Sequence, residues 1–124
     1  MGKKSPALHP AMPTRVEREQ QLQAELNRLV EELKRLGALK IIAFGSMARG
    51  EVRAGSDLDL IVVMQSEERF ADRMVHLYQA LRPKVACDVL AYTPAEFERM
   101  PESSFLIRRA LQEGVVLHDA GRAV

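Results

Sequence analysis

At Gly37 the hydrophobic pattern changes from that of a helix to that of a buried strand, and this switch restricts the fold more than any other feature of the chain. Upstream, Thr14 and Glu17 have the spacing of a capping box, in which hydroxyl and carboxylate satisfy the first free amides of a helix. Leu22, Leu26, Leu29, Val30, Leu33 and Leu36 then recur at helical spacing, and Gly37 supplies the left-handed residue that ends such a helix. The stripe is read as core packing and the Glu- and Arg-rich side as a solvated face. Residues 1–13, with three prolines and two adjacent lysines, read as a flexible tail, leaving 14–124 as a single domain.

Beyond Gly37 the segments 39–44 (LKIIAF) and 57–63 (DLDLIVV) are short, apolar and rich in branched residues, as buried strands are. Residues 68–81 return to helical spacing through Phe70, Met74, Leu77, Tyr78 and Leu81, until Pro83 forbids continuation. A third strand is expected over 84–92. Thr93-Pro94 opens a short helix with Phe97 and Met100, Ser103 or Ser104 caps another through Leu111, and 115–117 form a last strand after Gly114. The alternation predicts an α/β (α+β) fold, a small mixed sheet with helices packed on it.

With 124 residues there is room for one core and no separate substrate domain. Apolar residues at 47% and charged residues at 28% exclude wholesale disorder. A formal charge of +1 argues against a protein that neutralises long nucleic acid. No apolar run is long enough to cross a bilayer, and the single cysteine, Cys87, allows no internal disulfide, so a cytoplasmic location is expected.

Chemistry is concentrated in Asp57-Leu58-Asp59-Leu60, at the head of an apolar strand. Residues i and i+2 of a strand point to the same side, about 7 Å apart, so both carboxylates should face one way. Like charges at the edge of a core are costly unless cations sit between them. Asp88 interrupts the third strand in the same manner, and beside the first pair it would complete a triad suited to magnesium or manganese. The plainer reading has Asp57 capping a turn after Ser56, Asp59 at a frayed strand end and Asp88 on a bent strand. Upstream, Gly45-Ser46 follows the first strand, where glycine lets backbone approach an anion and Ser46 adds a hydroxyl donor. Arg49 either pairs with phosphate or is a solvated surface group. Residues 50–56 imitate the glycine spacing of a Walker A loop but lack its lysine, which excludes a P-loop NTPase.

Gly45-Ser46, ten residues, Asp57-x-Asp59 and the later Asp88 together resemble the signature of the DNA polymerase beta-like nucleotidyltransferase superfamily. The wording GSMARGEVRAGSDLDLIVV is most similar to its minimal nucleotidyltransferases, of the type paired as antitoxins with HEPN-domain toxins. The resemblance spans residues 39–117 and implies ATP as substrate and two Mg2+ ions, or Mn2+, held by Asp57, Asp59 and Asp88. It further implies Gly45, Ser46, Arg49 and Ser56 as nucleotide contacts, and Asp88 as the residue that serves the acceptor hydroxyl. The implied activity is transfer of AMP to a HEPN-type toxin; a homo- or hetero-oligomer is left open, and composition already argues against membrane or long nucleic acid as a partner. Two alternatives stay open: a small-molecule transferase of the aminoglycoside type, and a non-catalytic antitoxin that masks its partner. His9, His76 and His118 lack zinc spacing, Cys87 reads as a small buried hydrophobe, and Phe70, Tyr78 and Tyr92 read as core.

Overall fold

The structure is a computed structural model and describes residues 13–45 and 57–122. These run as α1 (Arg15–Arg35), β1 (Ala38–Phe44), β2 (Leu58–Met64), α2 (Phe70–Leu81), β3 (Cys87–Tyr92), α3 (Pro94–Ser103), α4 (Phe105–Glu113) and β4 (Val115–Asp119), followed by a short 3-10 turn (Ala120–Arg122). Except for Pro13, the expected tail lies outside the described residues.

Helix α1 starts at its capping box: the Thr14 hydroxyl accepts from the Glu17 N–H at 3.1 Å, and the Glu17 carboxylate accepts from the Thr14 N–H at 2.8 Å. Its exit is equally local, since Gly37 takes φ +100° and turns the chain into β1. Thr93 and Glu96 repeat the capping box ahead of α3, and the Ser104 hydroxyl accepts from Ile107 N–H to cap α4.

The four strands are ordered β3-β2-β1-β4, with β1 antiparallel to β2 and β4 and β2 parallel to β3. Alternation along the strands divides the core in two. Ile41, Ala43, Leu58, Leu60, Val62, Val89 and Ala91 pack under Leu22, Leu26, Leu29 and Leu33 of α1 and Leu77 and Leu81 of α2. Ile42 and Ile61 pack on the other face against Ile107 and Ala110 of α4, with Phe97 and Met100 of α3 beside them. Helices thus cover both faces, which explains why the central strands read as nearly continuous apolar runs. Each fully buried leucine contributes about 1.5–3 kcal/mol, so the α1 stripe is a major part of the stability.

Several element boundaries differ from the sequence expectation: β1 starts at Ala38, β2 ends at Met64 and α2 starts at Phe70, and three further strand ends bear on the sheet. Strand β2 begins at Leu58 and not at Asp57, because the N–H groups of Asp57 and Leu58 both donate to Ala86 O, at 2.8 and 3.2 Å, before a regular ladder starts. Strand β3 begins at Cys87 and not at 84: Arg82 is left-handed at φ 45° and Pro83 follows, so the approach to the sheet is irregular. Strand β4 continues to Asp119, in register with Lys40.

Gly114 joins α4 to β4 in an ordinary backbone conformation, φ −75°, yet it sits where no side chain fits. A methyl group there would lie 2.4 Å from Ala110 O and 2.6 Å from Ile42 Cγ2. Gly114→Ala should therefore cost about 2–3 kcal/mol by overpacking, measured as a lower urea midpoint with an unchanged m-value. No helix among the described residues is long and apolar enough to cross a membrane.

Candidate active site

The carboxyl end of β1 and the amino ends of β2 and β3 meet at one end of the sheet. Phe44 is the register partner of Asp59, and Asp59 is the register partner of Asp88. Both acids fall between residues that pack toward α1 and α2, so alternation puts them on the α3 and α4 face. Asp59 is half-buried and Asp88 exposed. Burial, and secondly the charge of Asp88, raise the Asp59 carboxyl above the usual carboxylate range.

The main chain leaving β1 runs directly against this pair. Gly45 takes φ +77°, and a Cβ built on it would stand 2.4 Å from Asp59 Oδ2. The backbone angle disfavours any side chain, and a methyl there would displace the Asp59 carboxylate, so the glycine expected from sequence has a structural cause. Next to Asp88, burial followed by the charges of Asp88 and Asp59 pushes the Cys87 thiol up to about 12. A thiol so raised keeps its proton at neutral pH and is a poor nucleophile, in keeping with its reading as a hydrophobe, although the residue is half-buried and not fully buried.

Asp57 behaves differently from the expectation. It sits in a bend ahead of β2, where the two-residue alternation of a strand does not hold, and its Oδ2 lies 2.6 Å from Arg18 Nη2 on α1. Helix α1 packs on the opposite sheet face from the one that Asp59 and Asp88 share. The structure therefore brings two of the three acids together and holds the third on an arginine. Ser46, Arg49 and Ser56 lie outside the described residues.

The pair of oxygen donors suits a hard divalent cation, which would offset the burial and the Asp88 charge that raise Asp59. Among the described residues, however, no group of three acidic, histidine or cysteine side chains is arranged to hold a metal ion. A third ligand requires Asp57 to part from Arg18 or a donor from elsewhere. A cavity of about 190 Å³ between Met64, Arg73 and His76 lies at the carboxyl end of β2, away from the acids, and takes no part in this site.

The family model described as a nucleotidyltransferase domain matches residues 26–117. This chain belongs to the nucleotidyltransferase domain family. Gly45, Asp57, Asp59 and Asp88 all lie within the matched segment. Two solved structures share the fold of this nucleotidyltransferase. One, from Sulfolobus solfataricus and described as a candidate nucleotidyltransferase, is 20% identical with a TM-score of 0.58, covering 86% of this chain and 87% of its own. The other, described as a candidate minimal nucleotidyltransferase, is 27% identical with a TM-score of 0.52, covering 78% of this chain and 93% of its own. No curated protein matches the chain.

Three residues, two bearing on the strands and bend that carry the acids and one at the far end of β3, were not singled out from sequence as polar contacts. Arg18 holds Asp57. Arg73, only 3% exposed, donates to Ala91 O at 2.7 Å, to Glu68 O at 2.8 Å and to the Glu96 carboxylate at 2.8 Å. That guanidinium holds Glu96 below its usual range. Tyr78 reaches the backbone of β3. A signal for both arginines exists: each stands four residues before a buried leucine, Leu22 or Leu77, so each continues a buried helical stripe by one turn.

Proposed function

We propose that this nucleotidyltransferase moves AMP from ATP to a hydroxyl acceptor, a tyrosine of a HEPN-type toxin that it neutralises as an antitoxin. The observation that carries the reading is the in-register pair Asp59 and Asp88 beside the positive-φ glycine that ends β1. A divalent cation bound there supplies charge neutralisation for the triphosphate and the acceptor oxygen. Asp59 and Asp88 would hold it, joined by Asp57 once that carboxylate leaves Arg18.

The remaining roles belong to the chain itself. The Gly45 backbone and Ser46, with Arg49 and Ser56, hold the triphosphate. Asp88, on the exposed side of the pair, accepts the proton of the acceptor hydroxyl as its oxygen bonds to the α-phosphorus. The bond from that phosphorus to the pyrophosphate oxygen breaks in the same step, and alignment supplies much of the rate.

The Arg18–Asp57 ion pair favours a second reading, in which the chain masks its partner without chemistry, because a carboxylate needed for a cation already has a counter-charge. Intact-mass measurement of a purified HEPN-type partner, incubated with this chain and magnesium-ATP, separates the two. The expected result is a gain of one or more AMP units that Asp57→Ala abolishes while the complex still forms. Full neutralisation by Asp57→Ala, with no mass gain by the wild type, would establish masking instead.

A further inference from the structure

Strand β3 is an edge strand, yet its outer rim is occupied by side chains of α2. Tyr78 Oη donates to Cys87 O at 3.1 Å and accepts from Val89 N–H at 2.7 Å. Further along, Met74 Sδ accepts from Ala91 N–H at 3.4 Å, and Arg73 Nη1 donates to Ala91 O. Three consecutive outward-facing residues of β3 thus find partners on one helix, which takes the place of a fifth strand.

The Tyr78 hydroxyl grips the residues immediately before and after Asp88. On the inner side, β2 pairs Asp88 with Asp59. The lead-in to β3, irregular through left-handed Arg82 and Pro83, is tied through Lys84 N–H to Glu25 and on its inner side through Ala86 O to the Asp57 and Leu58 N–H groups, which leaves the outer side at Cys87 and Val89 to α2. The hydroxyl is therefore the nearest outer restraint on the two peptide units that set the direction of the Asp88 side chain. We infer that Tyr78 is a positioning residue for Asp88, fixing the carboxylate opposite Asp59 through the backbone of Cys87 and Val89. The inference rests on the proposed role of Asp88 and adds to it a residue that touches neither substrate nor cation.

A phenylalanine at this position keeps the ring and removes both hydrogen bonds. Val89 is fully buried, so its N–H cannot easily turn to water, and the strand must shift to satisfy it. A displacement of about 1 Å at a reacting group costs on the order of 100-fold in rate. Tyr78→Phe should lower kcat by about 10- to 100-fold while KM for ATP changes little. The manganese concentration that half-saturates binding, followed by electron paramagnetic resonance without ATP, should rise several-fold. Met74→Leu, which alters the same rim further from Asp88, should leave both quantities near wild type. Added to Asp88→Asn, Tyr78→Phe should cause no further loss, as expected for residues acting as a unit.

If Asp88→Asn is inactive while Tyr78→Phe keeps wild-type kcat and manganese binding, the positioning role is overturned and the role of Asp88 stands. If Asp88→Asn retains full activity, both fall. Amide exchange on the wild-type chain gives a test that needs no folded variant: the Val89 N–H should be protected as strongly as amides of β2, and exchange as fast as an unpaired edge amide overturns the clamp.

Discussion

Asp59→Asn should abolish nucleotidyl transfer and make the cation-free protein more stable. The loss of activity is expected to be at least about 1,000-fold, because the substitution removes a charged oxygen donor from the only pair of acids that the described strands place in register. The gain in stability follows from the same geometry. Burial, and then the charge of Asp88, raise the Asp59 carboxyl, so between its ordinary and its raised range the folded chain binds more protons than the unfolded one. Stability of the wild type therefore falls as pH rises through that window and stays reduced above it. Asparagine carries no charge, so its advantage should be fully present at neutral pH and vanish as acid protonates Asp59 in both states. Thermal unfolding without divalent cations, at neutral pH and in acid, together with label transfer from ATP, checks both halves. A variant that is inactive and also less stable at neutral pH would contradict this account of the site.

Gly45→Ala should be nearly as damaging to activity while leaving the fold intact. A left-handed residue with a side chain costs about 1–2 kcal/mol, an amount a domain of this size tolerates. The larger effect is local: the new methyl would lie 2.4 Å from Asp59 Oδ2, so either the carboxylate turns away from Asp88 or the exit from β1 moves. Either shift misaligns the backbone leaving β1 against the acids, and a loss of about 100-fold or more in kcat is expected. Combining Gly45→Ala with Asp59→Asn should produce little loss beyond that of Asp59→Asn, since both act on one carboxylate. Steady-state kinetics of the two single variants and the double variant, with circular dichroism to verify folding, measures the coupling.

Much of this architecture could be read from local rules because those rules act over a few residues. The Thr14 capping box, the Thr93-Pro94 helix start, the helix-ending Gly37 and the breaker Pro83 mark boundaries without reference to tertiary structure. Asp59, Asp88 and Gly45 were legible as departures from pattern: two charges in apolar strands and a glycine at a strand end. Asp57 was not, because its orientation depends on a bend and on Arg18, thirty-nine positions earlier by sequence number. Tyr78 and Arg73 escaped for a related reason. A helix face that completes a strand edge uses side-chain hydrogen bonds to backbone, and hydrophobic periodicity carries no trace of these. The stripe puts Arg73 and Tyr78 on the buried side of α2, but the backbone groups they meet become visible only once α2 is docked beside β3.

The match to the nucleotidyltransferase family starts at Leu26, whereas Arg18 and Leu22 precede it. A fragment trimmed to the shared segment would lose the first buried leucine of α1 and the counter-charge of Asp57 together. The opening two turns of that helix thus serve two ends at once, seating a core leucine and restraining a carboxylate at the edge of the sheet.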